Sequence, residues 1–383
     1  MIKIDLTNTI ESIELMEIEM PLVHPFRTSF GKEEHKQAIL VKITDEDGNT
    51  GWGETSVSKF PGYCYETIQT AWHIQTDFLL PIFEEAIAKN DIFSLDDIHQ
   101  QWDKVRGHEF AKAGIESALL CLKAEQDNMS LKRLYGATKS KIPTGVSIGI
   151  QNNIKELIDR IQSFIEKGYQ RIKMKIEPGW DSDVIKAVRK EFGDIKLMVD
   201  ANSAFSLSKA HVDVMKQLDK YQLMMIEQPL DYHDMLQHKE LQAQISTPIC
   251  LDESIHNLID AQLALEYECC KIINIKPGRV GGYETAIEIA KTGGEGKVWC
   301  GGMLETGIGR MHNIYLQARP EFTIPGDTSG SDRYFEKDII SPQVKVNSDG
   351  FIEVPDGKGL GVEVDEVLIE KYLLNSHVLR LNT

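Results

Sequence analysis

Extended alternation opens the chain and gives way to helical spacing. Residues 12–20 alternate at Met16, Ile18 and Met20, and residues 38–44 and 50–54 make two further extended runs joined by an Asp47-Gly48 turn. From Glu66 to Ala88 and from Glu109 to Gln126 apolar residues recur every three or four positions, with Ala118, Cys121, Leu122 and Ala124 on one stripe. An antiparallel start followed by helices predicts an α+β domain. Two stretches read as loops: Pro25-Phe26-Arg27-Thr28-Ser29-Phe30-Gly31, and residues 57–63 after the turn. Their aromatic residues, Phe26, Phe30 and Phe60, either plug their own domain or face a substrate.

The pattern changes near Lys139-Ser140-Lys141-Ile142-Pro143. From Val146-Ser147-Ile148 onward, short apolar runs near residues 171–176, 196–200, 223–227, 248–252, 272–276, 297–301 and 322–325 alternate with helical stretches. Two of these stretches, 154–167 and 181–192, close on Gly168 and Gly193, where a helix C-terminus favours glycine. Eight strands alternating with helices predict an α/β barrel, a unit of roughly 250 residues. At 383 residues the chain has room for a second domain. The expected organisation is an α+β capping domain over residues 1–138, a barrel over 139–338, and a return of 339–383 to the capping domain.

Chemistry enters where the apolar runs end. Lys175, Asp200, Glu227, Asp252 and Lys276 follow successive runs at intervals of 25, 27, 25 and 24 residues. In a βα barrel those positions lie at the C-terminal rim, where active sites form. A lone carboxylate there would be a helix cap or a salt-bridge partner. Asp200, Glu227 and Asp252, from three consecutive strands, instead converge as oxygen donors for a hard divalent cation, Mg²⁺ first and Mn²⁺ next. The two-residue strand period puts Lys173 and Lys175 on one face and Ile172, Met174 and Ile176 on the other. Two neighbouring ammonium groups are expected to depress each other's pKa, which makes a lysine a general base. With Lys276 ending the sixth strand, the rim has a base on each side of a metal, suited to abstracting a proton next to a carboxylate.

Composition narrows the partners. A net charge of −17 disfavours nucleic acid and anionic membranes, so an anionic carboxylate substrate must meet a locally basic pocket. No run approaches ~18 consecutive apolar residues, which excludes a membrane-spanning helix. The N-terminus carries no apolar leader, and Cys64, Cys121, Cys250, Cys269, Cys270 and Cys300 form no C-x-x-C pair. The expectation is a cytoplasmic homo-oligomer with reduced thiols.

Taken together, Lys173-x-Lys175, Asp200-Ala201-Asn202, Glu227-Gln228-Pro229, Asp252-Glu253-Ser254, Lys276-Pro277-Gly278-Arg279-Val280-Gly281-Gly282 and Gly301-Gly302-Met303-Leu304-Glu305-Thr306-Gly307 resemble the enolase superfamily. Within its muconate-lactonizing subgroup the chain is similar to the o-succinylbenzoate synthases that often double as N-succinylamino acid racemases. The resemblance implies a modified (β/α)₇β barrel under a capping domain. It also implies Mg²⁺ on Asp200, Glu227 and Asp252, with Lys175 as one acid/base residue tuned by Lys173. Lys276 would be the second base, or a cation over the enolate in dehydration. Asn202, Phe26, Arg279, Gly302, Met303 and Glu305 would surround the substrate, and Arg279 resembles an arginine common in racemases. The implied reaction is dehydration of 2-succinyl-6-hydroxy-2,4-cyclohexadiene-1-carboxylate to o-succinylbenzoate for menaquinone biosynthesis, with N-succinylamino acid racemisation as a second activity. A dedicated N-acylamino acid racemase or dipeptide epimerase is the alternative within the family. From another class, a Schiff-base aldolase would use a rim lysine covalently and no metal.

Overall fold

In the computed structural model, which describes residues 10–29, 31–89 and 94–381, the first strands form a long antiparallel ribbon. β1 (Ile10–Thr28) pairs with β2 (Gly31–Asp45), and β2 with β3 (Thr50–Thr55). The stretch around Phe26, expected to be a loop, is instead paired: Phe26 lies opposite Glu33 and Thr28 opposite Gly31. A register shift between Pro21 and Phe26 accommodates the extra residues and Pro25, which has no N–H for a ladder. The ribbon tip rests on the barrel, where the carbonyl of Arg27 accepts from Ile150 N at 3.1 Å. Phe30 lies outside the described residues.

Helices α1 (Ile68–Ile74), α2 (Leu80–Ala88), α3 (Leu95–Trp102), α4 (Glu109–Gln126) and α5 (Leu131–Leu134) follow. A π turn at residues 75–79 joins α1 to α2. Pro81 cannot donate to the preceding turn, and the wider turn accommodates the missing bond. α4 is buried along nearly its whole length, as a helix apolar on most sides must be. It packs on the sheet through glycines: a Cβ on Gly53 would lie 2.4 Å from the Gly114 carbonyl oxygen.

After β4 (Lys141–Pro143) come seven parallel strands in sequential order: β5 (Gly145–Ile148), β6 (Arg171–Lys175), β7 (Leu197–Asp200), β8 (Ile226–Glu227), β9 (Ile249–Leu251), β10 (Ile272–Ile275) and β11 (Val298–Cys300). Between them lie α6 (Ile154–Glu166), α7 (Ser182–Phe192), α8 (Lys209–Leu218), α9 (Met235–Gln242), α10 (Leu258–Glu266) and α11 (Tyr283–Gly293), and α12 (Gly307–Gln317) follows β11. The eighth strand expected at 322–325 does not form. The gap between β11 and β5 is closed by the next few residues: Gly145 N donates to the Gly326 carbonyl at 2.8 Å and Asp327 N to that of Cys300 at 2.9 Å. Nearby carbonyls are taken by side chains instead of a ladder, Pro325 by Arg171 Nε at 3.1 Å and Thr328 by the Thr144 hydroxyl.

The tail runs through β12 (Ile340–Ser341), β13 (Phe351–Glu353), β14 (Glu363–Val364) and α13 (Glu366–Tyr372) to β15 (Leu373–Arg380), which pairs antiparallel with β1. The capping sheet therefore has the order β15-β1-β2-β3. No helix among the described residues is long and apolar enough to cross a membrane.

Two side chains show how the sheet and barrel are joined. Glu54 of β3 accepts from Thr306 N at 3.1 Å and Gly309 N at 2.9 Å, capping α12 across the interface. His312 of α12 lies between the Trp52 carbonyl and the Tyr135 hydroxyl, each at 2.8 Å. Burial pushes the imidazole down to about 4, so the neutral ring donates from Nε2 and accepts at Nδ1. The unfolded chain binds this proton near the ordinary value of 6.5, so stability is lost as pH falls from 6.5 to about 4. Urea denaturation across that window is expected to show wild type losing on the order of 3 kcal/mol more than His312→Gln, which does not titrate.

Candidate active site

Lys173 and Lys175 point inward from β6, while Ile172 and Met174 enter the surrounding apolar core. Asp200 and Glu227 end β7 and β8, and Asp252 and Lys276 follow β9 and β10 directly. All three carboxylates are fully buried, and one oxygen from each lies within 4.8 Å of the others. Each has a cationic partner. Lys175 Nζ lies 2.6 Å from Asp200 Oδ2, Lys173 Nζ 3.1 Å from Glu227 Oε2, and Lys276 Nζ 2.8 Å from Asp252 Oδ2. Asn202 Oδ1 accepts from Lys175 at 2.6 Å, and Asn274 Nδ2 donates to Glu227 Oε1 at 2.7 Å.

The charges do not balance evenly. Burial, reinforced by Asp200, pushes the Glu227 carboxyl up to about 8. Burial acts the same way on Asp252, but Lys276 and Arg279 outweigh it and hold that carboxyl well below its usual range. A cluster of hard oxygen donors, one of them driven to take up a proton, suits a divalent cation with a preference for oxygen.

Lys173 departs from expectation. Burial alone would lower its pKa, but Asp327, Glu227 and Asp200 together raise it well above the ordinary lysine value. Asp327 Oδ2 lies 2.7 Å from Lys173 Nζ, and Asp327 Oδ1 accepts from Arg171 at 2.7 Å. Three carboxyl groups around one ammonium outweigh both its burial and the nearby Arg171.

A cavity of about 370 Å³ opens over these groups. Lys173, Lys175, Asn202, Lys276 and Asp327 give it a polar floor, and Phe26, Phe60, Gly302 and Met303 contribute to its walls. Arg279 and Glu305 do not line it. Arg279 is buried beneath, its guanidinium donating to Asp252, the Tyr63 hydroxyl and the carbonyls of Ile255 and Asn274. Glu305 accepts from Met303 N and Asn313 Nδ2, both at 2.9 Å, which ties it to its own loop and to α12.

Sequence reasoning did not find Tyr63 or Asp327. Tyr63 comes from the capping loop, donates to Asp252 at 2.8 Å, and lays its ring 4.2 Å from Lys276 Nζ. Nothing in its neighbourhood in the chain distinguishes it. Asp327 had a signal: it stands 51 residues beyond Lys276, twice the rim interval.

Residues 12–136 match the family described as mandelate racemase / muconate lactonizing enzyme, N-terminal domain, and residues 156–368 match the enolase C-terminal domain-like family. The chain belongs to the enolase superfamily. Within it, the chain falls in the family of o-succinylbenzoate synthases and N-succinylamino acid racemases. It is 45% identical to an o-succinylbenzoate synthase of Geobacillus stearothermophilus over 95% of this chain and 96% of that one. It is 41% identical to an N-succinylamino acid racemase of Amycolatopsis, covering 96% and 100%. The solved structure of an enolase-superfamily member from Listeria innocua superposes with a TM-score of 0.91 at 39% identity, covering 97% and 99%.

In this superfamily member Asp327 compensates two buried cations at once. Breaking a buried pair on one side leaves charge without a partner. Asp327→Asn is expected to lower unfolding free energy by ~3–5 kcal/mol in urea denaturation. A loss below ~1 kcal/mol would mean that Glu227 and Asp200 suffice for Lys173.

Proposed function

We propose that this enzyme is an o-succinylbenzoate synthase that removes the proton α to a carboxylate, and that the same site racemises N-succinylamino acids. The observation that carries this reading is a buried carboxylate cluster with ammonium groups from two separated strands, β6 and β10, over one cavity. The similarity to both synthases and racemases supports it.

In this reading Lys175 is the base that takes the α-proton. Lys173 shares Asp200 Oδ2 with it, at 3.3 Å against 2.6 Å, and is held as a cation beside it by the carboxylates around it. Asn202 holds the Lys175 nitrogen in place. In dehydration the C–H bond breaks toward Lys175, the C–O bond to the ring hydroxyl breaks next, and Lys175 returns its proton so that water leaves. Lys276 remains a cation over the developing negative charge. Mg²⁺, or Mn²⁺ in its place, held by Asp200, Glu227 and Asp252, would supply positive charge for the substrate carboxylate. In racemisation Lys276 serves as the second acid/base group. Phe26, Phe60 and Met303 give the cavity an apolar wall beside the reacting carbon. The six cysteines are free thiols, which supports a reducing, cytoplasmic setting.

Glu227→Gln keeps the shape of the site and removes one charge. Calorimetry with Mg²⁺ and turnover are both expected to fall by orders of magnitude. Undiminished metal affinity in this variant would remove Glu227 from the donor set.

The two-base reading predicts a division between enantiomers. In D₂O, Lys276→Ala is expected to wash the α-proton out of one N-succinylamino acid enantiomer through Lys175 and to spare its mirror image, and Lys175→Ala to do the reverse. Each lost face should slow by at least ~10²–10⁴-fold, read by NMR on each enantiomer. Variants that exchange both enantiomers alike would refute it.

A further inference from the structure

The loop that carries Lys276 is unusually rich in glycine, and α4 of the capping region explains each one. A Cβ on Gly278 would lie 2.5 Å from Phe110 Cδ1, one on Gly281 2.6 Å from Glu109 Oε2, and one on Gly282 1.2 Å from Glu116 Oε2. Gly281 and Gly282 also have φ of +90° and +144°, which side chains rarely adopt. Phe110, Glu109 and Glu116 therefore occupy the volume that side chains on this loop would fill.

Glu116 does more than fill space. It is fully buried, and its Oε1 accepts from Glu284 N, in the first turn of α11, at 2.9 Å. The residue before that helix is Gly282, which has no side chain to cap it. A carboxylate at this point satisfies an orphan N–H and meets the positive end of the helix dipole. Its other oxygen, Oε2, lies 3.5 Å from His99 Nε2 of α3. Between Lys276 and α11 the loop is a compact turn, with Arg279 N donating to the Lys276 carbonyl at 3.0 Å and Gly282 N to that of Pro277 at 2.9 Å. Whatever anchors the start of α11 thus anchors a short, internally bonded segment with Lys276 at its other end.

We propose that Glu116 is a positioning residue for Lys276: from the capping region, it caps α11 and fixes the loop whose first residue is the second base. Lys175 lies on β6 and bonds to Asp200 and Asn202 and not to this loop, whose Arg279 reaches only the far member of the cluster, Asp252, so the effect falls mainly on the Lys276 face of the substrate. The catalytic part rests on the two-base reading above. The positional part does not.

The test uses Glu116→Ala; Glu116→Asp, which keeps the charge but withdraws the acceptor by one methylene and perturbs the core less; and Glu116→Gln, which keeps the acceptor in place. Hydrogen–deuterium exchange read by mass spectrometry should rise in the peptide spanning 276–284 for the Ala and Asp variants, with the peptide spanning β6 unchanged. In the enantiomer assay these two variants should slow exchange on the Lys276 face by ~10–10²-fold, the scale of a small misplacement of a reacting group. The Lys175 face should lose severalfold less, and Glu116→Gln should restore most of the loss. Equal losses on both faces, unchanged exchange of 276–284, or failure of Gln to restore what Asp loses would each overturn the inference. Lys175→Ala and Lys276→Ala run in parallel. If they do not divide the enantiomers, the two-base reading fails, and the hydrogen-exchange arm alone decides whether Glu116 fixes the loop.

Discussion

Asp200, Glu227 and Asp252 repel one another at the ends of three adjacent strands, without water to screen them. That repulsion governs what surrounds them. Asp252 is held by Lys276, Arg279 and Tyr63 together, and its carboxyl stays ionised. Glu227 faces Lys173 and an asparagine, and is the member of the cluster pushed toward a proton. The same contacts position the chemistry, because the lysines that neutralise the carboxylates are also the amines at the cavity floor. All three amines are held in defined geometry, which is what a positioned acid/base group requires.

Holding this geometry strains the backbone. Asn202, Ser203 and Gln228 have φ of 42°, 63° and 38°, all immediately beyond strand ends at the rim. Such conformations persist only where surrounding bonds over-determine them. Gln228 supplies several: its side-chain oxygen accepts from Asp252 N at 3.0 Å, its amide donates to Ser254 Oγ at 2.8 Å, and its carbonyl accepts from Ser203 N at 2.8 Å. The turns after β7, β8 and β9 are thereby bonded to one another, and the carboxylates they carry are aimed together.

The capping region is part of the site as well as a cover for it. Glu54 caps α12, His312 bonds β3 to α12 and the Tyr135 hydroxyl, and α4 packs into the glycine loop before α11. Buried carboxylates at helix N-termini bind the two regions through strong, directional contacts. The paired ribbon around Phe26 and the loop with Phe60 and Tyr63 then bring aromatic surface over the charged floor.

Much of this was legible in the residues alone, because strand and helix periods are local. The inward face of β6, the five charged strand ends and their common interval follow from counting positions. The eighth stave was misplaced because Phe322 and Ile324 alternate as a strand would, whereas the carbonyls of Pro325 and Thr328 bond to side chains of Arg171 and Thr144 in place of a ladder. The resemblance placed Arg279 around the substrate, and only the structure shows it buried beneath the cavity against Asp252. Tyr63 meets Asp252 across 189 residues of chain. By itself the sequence determined which groups stand at the rim and which way they face. The tertiary structure alone decided which charge meets which, because ion pairing and desolvation depend on distance and burial in space, and neither is encoded in spacing along the chain.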